Sequence, residues 1–128
     1  MSAHYSISVE PDRDLVRIEM SGFFTPDEVT AFLDAQRAAH RQLKCAPNQH
    51  LTLNDISAMK VQPQDTVAAF RSVLDMPEFH SRRLAFVVSR TLARSQVMRA
   101  LNGRDAQCFE NRVAAERWLL SADRAAAA

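Results

Sequence analysis

The stretch LAFVV at residues 84–88 decides the fold of this chain. Five consecutive apolar residues are typical of an inner parallel strand that is buried on both faces of a sheet. Parallel neighbours need crossover connections, which are usually helices. The stretch therefore predicts an α/β architecture in which the strands beside residues 84–88 are reached through helices.

The N-terminal segment predicts an antiparallel β-hairpin. Apolar and polar residues alternate over residues 5–9 and again over residues 16–20, which is the pattern of strands with one wet face. Residues 11–14 between them have the composition of a turn. The polar alternate residues predict that part of the sheet faces water or a partner subunit; these are Ser6, Ser8, Arg17 and Glu19.

Between the hairpin and the apolar stretch, the sequence predicts a helix, a strand and a second helix. A capping box with proline at the first helical position, at Thr25–Glu28, begins a helix that ends near Lys44. A short third strand follows at residues 51–53. The second helix begins near residues 63–65, presents apolar residues as far as Leu74, and stops before Pro77.

The rest of the chain completes the order ββαβαβαβα. A third helix is predicted between Thr91 and Asn102, with Gly103 as its stop signal. A short strand near residues 107–109 and a closing helix capped by Asn111 follow. We therefore predict a single-layer mixed sheet with an N-terminal antiparallel hairpin and crossover helices, in one domain that leaves residues 125–128 as a frayed alanine tail.

Composition indicates a single domain that folds without a partner. The chain has 128 residues, of which 47% are hydrophobic and 24% are charged, ordinary values for a globular protein. No leader and no apolar run of about 18 residues is present, so neither secretion nor a membrane span is predicted. Cys45 and Cys108 lack CxxC spacing, and we expect reduced thiols in a cytoplasmic protein rather than a disulfide framework or a zinc site.

Several common chemistries lack their motifs. With only Gly22 and Gly103, the chain has neither a GxGxxG turn nor a phosphate-binding P-loop. The four histidines show no metal-ligand spacing, and neither Ser57 nor Ser89 lies in a GxSxG elbow. We therefore predict no catalytic residue, no cofactor and no metal site.

The C-terminal part of the chain is mildly basic. Residues 80–128 carry 9 Lys and Arg against 4 Asp and Glu, whereas residues 1–79 carry 7 against 11. An anionic partner and a solvated arginine face both fit this excess. Few aromatic residues lie among the arginines, so nucleic-acid binding is not favoured.

A candidate site lies at the carboxyl ends of the parallel strands, where ligands commonly meet such sheets. Loops at residues 54–64 and 89–91 meet there beside two helix N-termini, whose amides can bind an anion. The candidate partner- or ligand-binding residues are Asp55, Ser57, Asp65, Thr66, Ser89, Arg90 and Arg94. The alternative is that Asp65 and Ser89 only cap helices and that the two arginines are solvated.

Two segments carry a family resemblance. The first has a strand, a cap and a closing Ala-x-x-Trp-Leu helix, at Cys108–Asn111 and Ala115–Leu119. The second is Arg83–Val88 followed by Leu92–Arg94. With the order of elements, they resemble the STAS domains related to the sporulation anti-sigma-factor antagonist, in particular the SpoIIAA-like branch.

The resemblance implies a STAS-like domain over residues 1–124 that acts without catalysis, by binding a partner protein or a small ligand. Switching members of the family carry a phosphorylated hydroxyl in an Asp-Ser-Ser-Gly-like turn, which falls here on Pro63–Thr66. The glycine and the serine pair are missing, and the acceptor position is Asp65, with Thr66 as a neighbouring hydroxyl. The resemblance therefore does not support a phosphorylation switch.

Three functions remain open at this point. The first is a non-enzymatic regulatory or protein-interaction module, a homodimer that contacts its partner through the loops after the third and fourth strands. The second is a carrier of a small apolar or anionic, lipid-like ligand held between sheet and helices. The third is an enzyme of unrecognised type, which predicts a titratable residue with a strongly shifted pKa in a cleft.

Overall fold

A computed structural model describes residues 3–89 and 105–127, the side chains of the last six of these excepted. The five strands of the described ranges are β1 (His4–Glu10), β2 (Leu15–Gly22), β3 (Leu51–Met59), β4 (Arg83–Val87) and β5 (Ala106–Phe109). The helices are α1 (Pro26–His40), α2 (Gln64–Leu74) and α3 (Arg112–Ala127). The third helix predicted from sequence, between Thr91 and Asn102, lies outside the described residues.

The strands form one mixed sheet in the order β1-β2-β3-β4-β5. β1 and β2 pair antiparallel, and the remaining neighbours pair parallel. Leu53 lies opposite Ala85 and Asn54 opposite Phe86 in the parallel ladder of β3 and β4. The predicted hairpin and the predicted inner parallel strand are both confirmed.

Each face of the sheet is covered by helix, because successive side chains of a strand point to opposite faces. On the face that we call the α1/α2 face, Val16, Ile18 and Met20 pack with Phe32 of α1 and Val73 of α2. The opposite, α3 face is formed by side chains of β2, β3 and β4 that pack on α3: Leu15, Leu51, Leu53, Ala85 and Val87, against Ala115 and Leu119.

Helix α1 begins as predicted and ends earlier than predicted. The Thr25 hydroxyl accepts a hydrogen bond from the Glu28 amide at 3.2 Å, and the Glu28 carboxylate accepts one from the Thr25 amide at 3.0 Å, so the capping box is confirmed. The helix ends at His40 instead of near Lys44. There the Gln42 amide bonds the carbonyl three residues back, which tightens the chain into a turn.

Strand β3 runs to Met59, and the sequence prediction that it stops at Leu53 is wrong. Its ladder with β2 continues through Asp55 and, after a register shift, to Met59 opposite Gly22. The backbone groups of β2 extend the strand through polar residues that have no strand pattern of their own. As a result, Asp55 and Ser57 lie within a strand and not in a loop.

The remaining ends differ little from the prediction. Helix α2 ends at Leu74, before Pro77 as predicted, and Pro77 opens a short 3₁₀ turn that buries Phe79. The Asn111 side chain accepts a hydrogen bond from the Ala114 amide at 2.8 Å, so the predicted cap of α3 is confirmed. The α3 backbone is helical to Ala127, and fraying of the alanine tail stays a prediction.

Candidate functional site

Asp55 and Ser57 form one tightly bonded group on the α3 face. Asp55 Oδ1 accepts hydrogen bonds from the Ser57 amide at 3.0 Å and the Ser57 hydroxyl at 2.6 Å. Its Oδ2 accepts a hydrogen bond from Arg112 Nε at 2.6 Å. Burial opposes ionisation of Asp55, but these hydrogen bonds outweigh it and hold the pKa of the carboxyl below its usual range. The carboxylate is a structural anchor for the first turn of α3.

Arg112 belongs to a wider set of ion pairs, which we call the α3 ion-pair network. Arg112 also bonds Glu19 of β2 at 2.7 Å, and Arg17 of β2 pairs with both Glu116 of α3 and Glu10 of β1. The sequence predicts that the polar side of the hairpin faces water or a partner subunit. In the structure, α3 supplies charges that pair with Arg17 and Glu19 on this side. The cleft beside the network holds only about 140 Å³, below the size of ordinary ligand pockets.

Asp65 and Thr66 lie in the first turn of α2, on the α1/α2 face, away from Asp55. Asp65 Oδ1 accepts a hydrogen bond from the Thr66 amide at 2.9 Å, and the residue before the helix is Pro63, without a side-chain cap. The Thr66 hydroxyl donates to the Phe24 carbonyl at 2.7 Å, and Thr66 is 1% exposed. Its hydroxyl is thus part of the core rather than an accessible acceptor site.

The other predicted residues lie after β4. Ser89 is exposed directly beyond the strand. Arg90 and Arg94 lie outside the described residues. The seven predicted residues therefore do not form one site in the described structure: Asp55 and Ser57 lie on one face of the sheet, and Asp65 and Thr66 on the other.

A cavity of about 350 Å³ lies between the sheet and the helices of the α1/α2 face. Its walls are mainly apolar and come from strands β2, β3 and β4 and from both helices, for example Ile18, Phe32, Val73 and Phe86. The lining also includes the exposed Lys60, Val61 and Val67, so the cavity reaches the surface near the start of α2. Its volume lies within the range of small-ligand sites.

Two of the residues that line this cavity carry buried, unpaired amide oxygens. Gln36 of α1 is 8% exposed, and its Oε1 has no hydrogen-bond partner among the described residues. Asn54 Oδ1 of β3 is likewise buried and unpartnered within the described ranges. Both residues line the cavity. An unpaired buried amide oxygen destabilises a fold by about 1–3 kcal/mol, so each one favours a bound donor or water.

Three exposed apolar side chains lie at the carboxyl edge of β2 and β3, and we call them the apolar rim. They are Phe23 directly after β2, Val61 two residues after the end of β3, and Val67 near the start of α2. Val61 is 68% exposed. Such side chains gathered at one end of a sheet are typical of a contact surface rather than of scattered exposure.

The loops that carry the apolar rim are fixed by one side chain. Gln62 accepts a hydrogen bond from the Phe24 amide at 2.8 Å and donates one to the Gly22 carbonyl at 2.9 Å. The Lys60 amide bonds the same carbonyl at 3.3 Å. Gly22 has a φ of 81°, which disfavours any residue with a Cβ. The rim is therefore held on a rigid double loop.

The structure brings together histidines that the sequence spacing did not connect. The rings of His40 and His50 meet edge to face at 4.6 Å, and His40 also packs on Phe79 at 4.9 Å. The Ser81 hydroxyl lies 3.3 Å from His50 Nε2. Burial lowers the pKa of His40, against the opposing charge of Glu78. No group of three or more His, Cys, Asp or Glu side chains suited to a metal occurs in the described part of the chain.

Sequence reasoning missed Arg112, Gln36 and Asn54. Arg112 lies 57 residues from Asp55, and no local pattern links them. Gln36 lies on a mainly apolar helix face, and Asn54 lies next to the apolar Leu53 in a strand; polar residues at such positions were the available signal for buried polar groups.

Comparison with known proteins identifies the fold. The chain is similar to the crystal structure of an uncharacterized protein from the DUF3478 family with a SpoIIAA-like fold, from Shewanella loihica PV-4. The TM-score is 0.73 at 15% sequence identity, and the match covers 93% of this chain and 96% of that one. No family model matches the chain, and no curated protein matches it either. The SpoIIAA-like fold predicted from sequence is confirmed.

Across residues 3–89 and 105–127, no helix combines the length and the apolarity that crossing a bilayer requires.

Proposed function

We propose that this SpoIIAA-like domain is a non-enzymatic regulatory or protein-interaction module that docks a partner protein through its apolar rim. The observation that carries the proposal is the exposure of Phe23 and Val61 on loops, and of Val67 in the first turns of α2, at one edge of the sheet. Because the Gln62 hydrogen bonds fix these loops in advance, little conformational entropy is lost on docking. The partner is a protein that presents apolar side chains to a small, rigid platform.

This module acts without the phosphorylation switch of related switching domains. Thr66, the hydroxyl in the corresponding turn, is buried and bonded to the Phe24 carbonyl, and a kinase cannot reach it without unfolding the start of α2. Asp65 already places a carboxylate at the position of the phosphorylated hydroxyl. Binding to the partner is therefore constitutive, or is controlled by the partner's own state.

We assign no catalytic role to the domain and place it in the cytoplasm. Asp55 is a carboxylate with a shifted pKa, but it is committed to Ser57 and Arg112. Cys45 and Cys108 are not joined in a disulfide, as expected of a protein in a reducing compartment.

Photo-crosslinking and a matched pair of variants test the docking proposal. A benzophenone amino acid at position 23 should crosslink a partner in native cells. The same group at position 113 is the control: Val113 is also apolar and is 67% exposed, but it lies on α3 and outside the rim, so no crosslink is expected there. With the partner purified, we expect Phe23→Ser to weaken binding about tenfold and Val113→Ser to leave it within about twofold. Equal effects of the two variants would refute the rim as the docking surface.

A second candidate function, the binding of a small ligand, is favoured by the cavity of about 350 Å³ and its unpaired Gln36 and Asn54 oxygens. The walls suit an apolar body, and the two amides suit a single polar group that donates hydrogen bonds. The ligand would be a mostly apolar molecule with one polar head.

Native mass spectrometry of the mildly purified protein tests this second candidate. We expect a bound mass that is lost on denaturation and is depleted in Gln36→Leu, which keeps the apolar volume and removes the polar contact. Gln49→Leu is the control, because Gln49 is exposed and outside the cavity lining. An empty wild-type protein that also fails to bind a fluorescent apolar probe would rule out the carrier function.

A further inference from the structure

Strand β1 forms an unprotected edge of the sheet. It is first in the strand order, and among the described residues only β2 pairs with it. All seven of its residues are in register with β2, without a bulge. Edge strands are usually protected by lysine, proline, a bulge or a covering element. Between His4 and Glu10 the sequence HYSISVE holds no lysine and no proline.

The sequence of β1 is complementary to itself when two copies run antiparallel. With Ile7 opposite Ile7 of a second copy, His4 lies opposite Glu10, and Tyr5 lies opposite Val9. Ser6 then lies opposite Ser8. Aromatic–aliphatic pairs directly across two strands each stabilise the pairing by about 0.2–1 kcal/mol. Every pair in this register is therefore neutral or favourable.

The side chains of β1 are also correctly distributed between the faces for this pairing. Tyr5, Ile7 and Val9 all point to the α1/α2 face, where Tyr5 packs on Phe32 at 5.5 Å between ring centroids. Tyr5 remains exposed, and Ile7 and Val9 are half-buried. Antiparallel pairing about Ile7 joins two such strips into one and removes the exposed parts from water.

We propose that two copies of this chain associate through β1, antiparallel and centred on Ile7, to form one continuous sheet of both subunits. In this register, odd-numbered residues of one copy lie opposite odd-numbered residues of the other, and even-numbered opposite even-numbered. The backbone N–H and C=O groups that point outward from the two strands therefore meet, whether they belong to the odd or to the even residues of β1. About six to eight backbone hydrogen bonds result. The interface is small, and we expect dissociation on the order of 1–100 µM.

Sedimentation velocity over a concentration series tests the dimer, with two double variants that differ at one residue. Ser6→Lys with Ser8→Lys places lysines opposite each other in both cross-subunit pairs and should raise the dissociation constant at least tenfold. Ser6→Lys with Ser8→Glu places opposite charges there and should keep or strengthen the dimer. The second variant also suits β2, where Ser6 lies opposite Glu19 and Ser8 opposite Arg17.

A crosslink tests the register without adding charge. In a chain with Cys45→Ser and Cys108→Ser, Ser6→Cys protein mixed with Ser8→Cys protein should form a disulfide dimer under mild oxidation. Neither protein alone should do so, because position 6 does not face position 6 in this register.

Three outcomes would overturn the proposal: a monomer at all concentrations up to about 500 µM, well above the expected range; a dimer that the two lysines leave intact; or crosslinking as strong in each single protein as in the mixture. The Phe23→Ser variant should leave the dimer unchanged, which separates this interface from the docking rim.

Discussion

The sequence position of Asp55 suggests a binding site, and its hydrogen bonds in the structure stabilise the fold. A carboxylate near a strand end, followed by serine, predicts a binding position, but its oxygens are occupied by Ser57 and by Arg112. Arg112 is about half exposed and also pairs with the more exposed Glu19. The Asp55–Arg112 contact is partly buried, so removal of one partner costs more than it does in a surface pair.

Removal of the guanidinium at residue 112 should expose this role. We expect Arg112→Ala to lower the free energy of unfolding at pH 7 by about 1–2 kcal/mol, because Asp55 keeps its burial and loses a charged donor. Glu19→Gln is the control and should change it by less than about 0.5 kcal/mol, since that pair is exposed. Urea denaturation measures both values.

The same pair predicts a pH dependence of stability. The pKa of Asp55 is lower in the folded state than its ordinary value, so its contribution is fully present at neutral pH. That contribution declines as the pH falls below about 4 and is lost below the folded-state pKa. The difference between wild type and Arg112→Ala should therefore shrink between pH 7 and pH 3. An equal difference at both values would contradict the assignment.

At the scale of elements, single side chains join helices to loops far along the chain. Arg83 of β4 lies over the Trp118 ring at 4.4 Å and bonds the Trp118 carbonyl, which fixes the middle of α3. Thr66 does the same for α2, because its hydroxyl satisfies the carbonyl of Phe24 just before α1. These contacts determine how the helices sit on the sheet.

The Thr66 contact gives a test of the α2 attachment. We expect Thr66→Val, which keeps the shape, to destabilise the protein by about 1–2 kcal/mol, because the Phe24 carbonyl loses its donor. Thr66→Asp should be far more destabilising, since it buries a charge. Ser72→Ala is the matched control, because Ser72 donates from an exposed position within the same helix. Thermal and urea unfolding would contradict the assignment if Thr66→Val and Ser72→Ala behaved alike.

The elements that follow from sequence are those whose cause lies within a few residues. The β1–β2 alternation, the Thr25 capping box and the Asn111 cap are local, and all three were predicted. The length of β3 was not, because the ladder of β2 extends it through Asp55 and Ser57. The surroundings of the candidate residues could not be predicted for the same reason: contacts such as Arg17 with Glu116, 99 residues apart, arise only when the sheet and α3 are assembled.

At the scale of the whole molecule, the two faces of the sheet are packed differently. The α3 face is closed by Leu15, Leu51, Ala115 and Leu119, all fully buried. The α1/α2 face contains the cavity of about 350 Å³. In the described residues, the cavity that we propose as a ligand site therefore lies on the α1/α2 face, where Val61 and Val67 of the apolar rim line it.

The same substitution at two valines should measure this asymmetry. Val73 lines the cavity, whereas Val16 is fully buried and is not part of the cavity lining. The cavity beside residue 73 has room for a larger ring, so we expect Val73→Phe to change the free energy of unfolding by less than about 1 kcal/mol. Val16→Phe overpacks the core and should lower the free energy of unfolding by about 1–3 kcal/mol or more. Val73→Phe should also reduce binding of an apolar fluorescent probe. If both variants were destabilised equally, the space beside Val73 would not be available to a side chain, and the argument for a ligand there would fail with it.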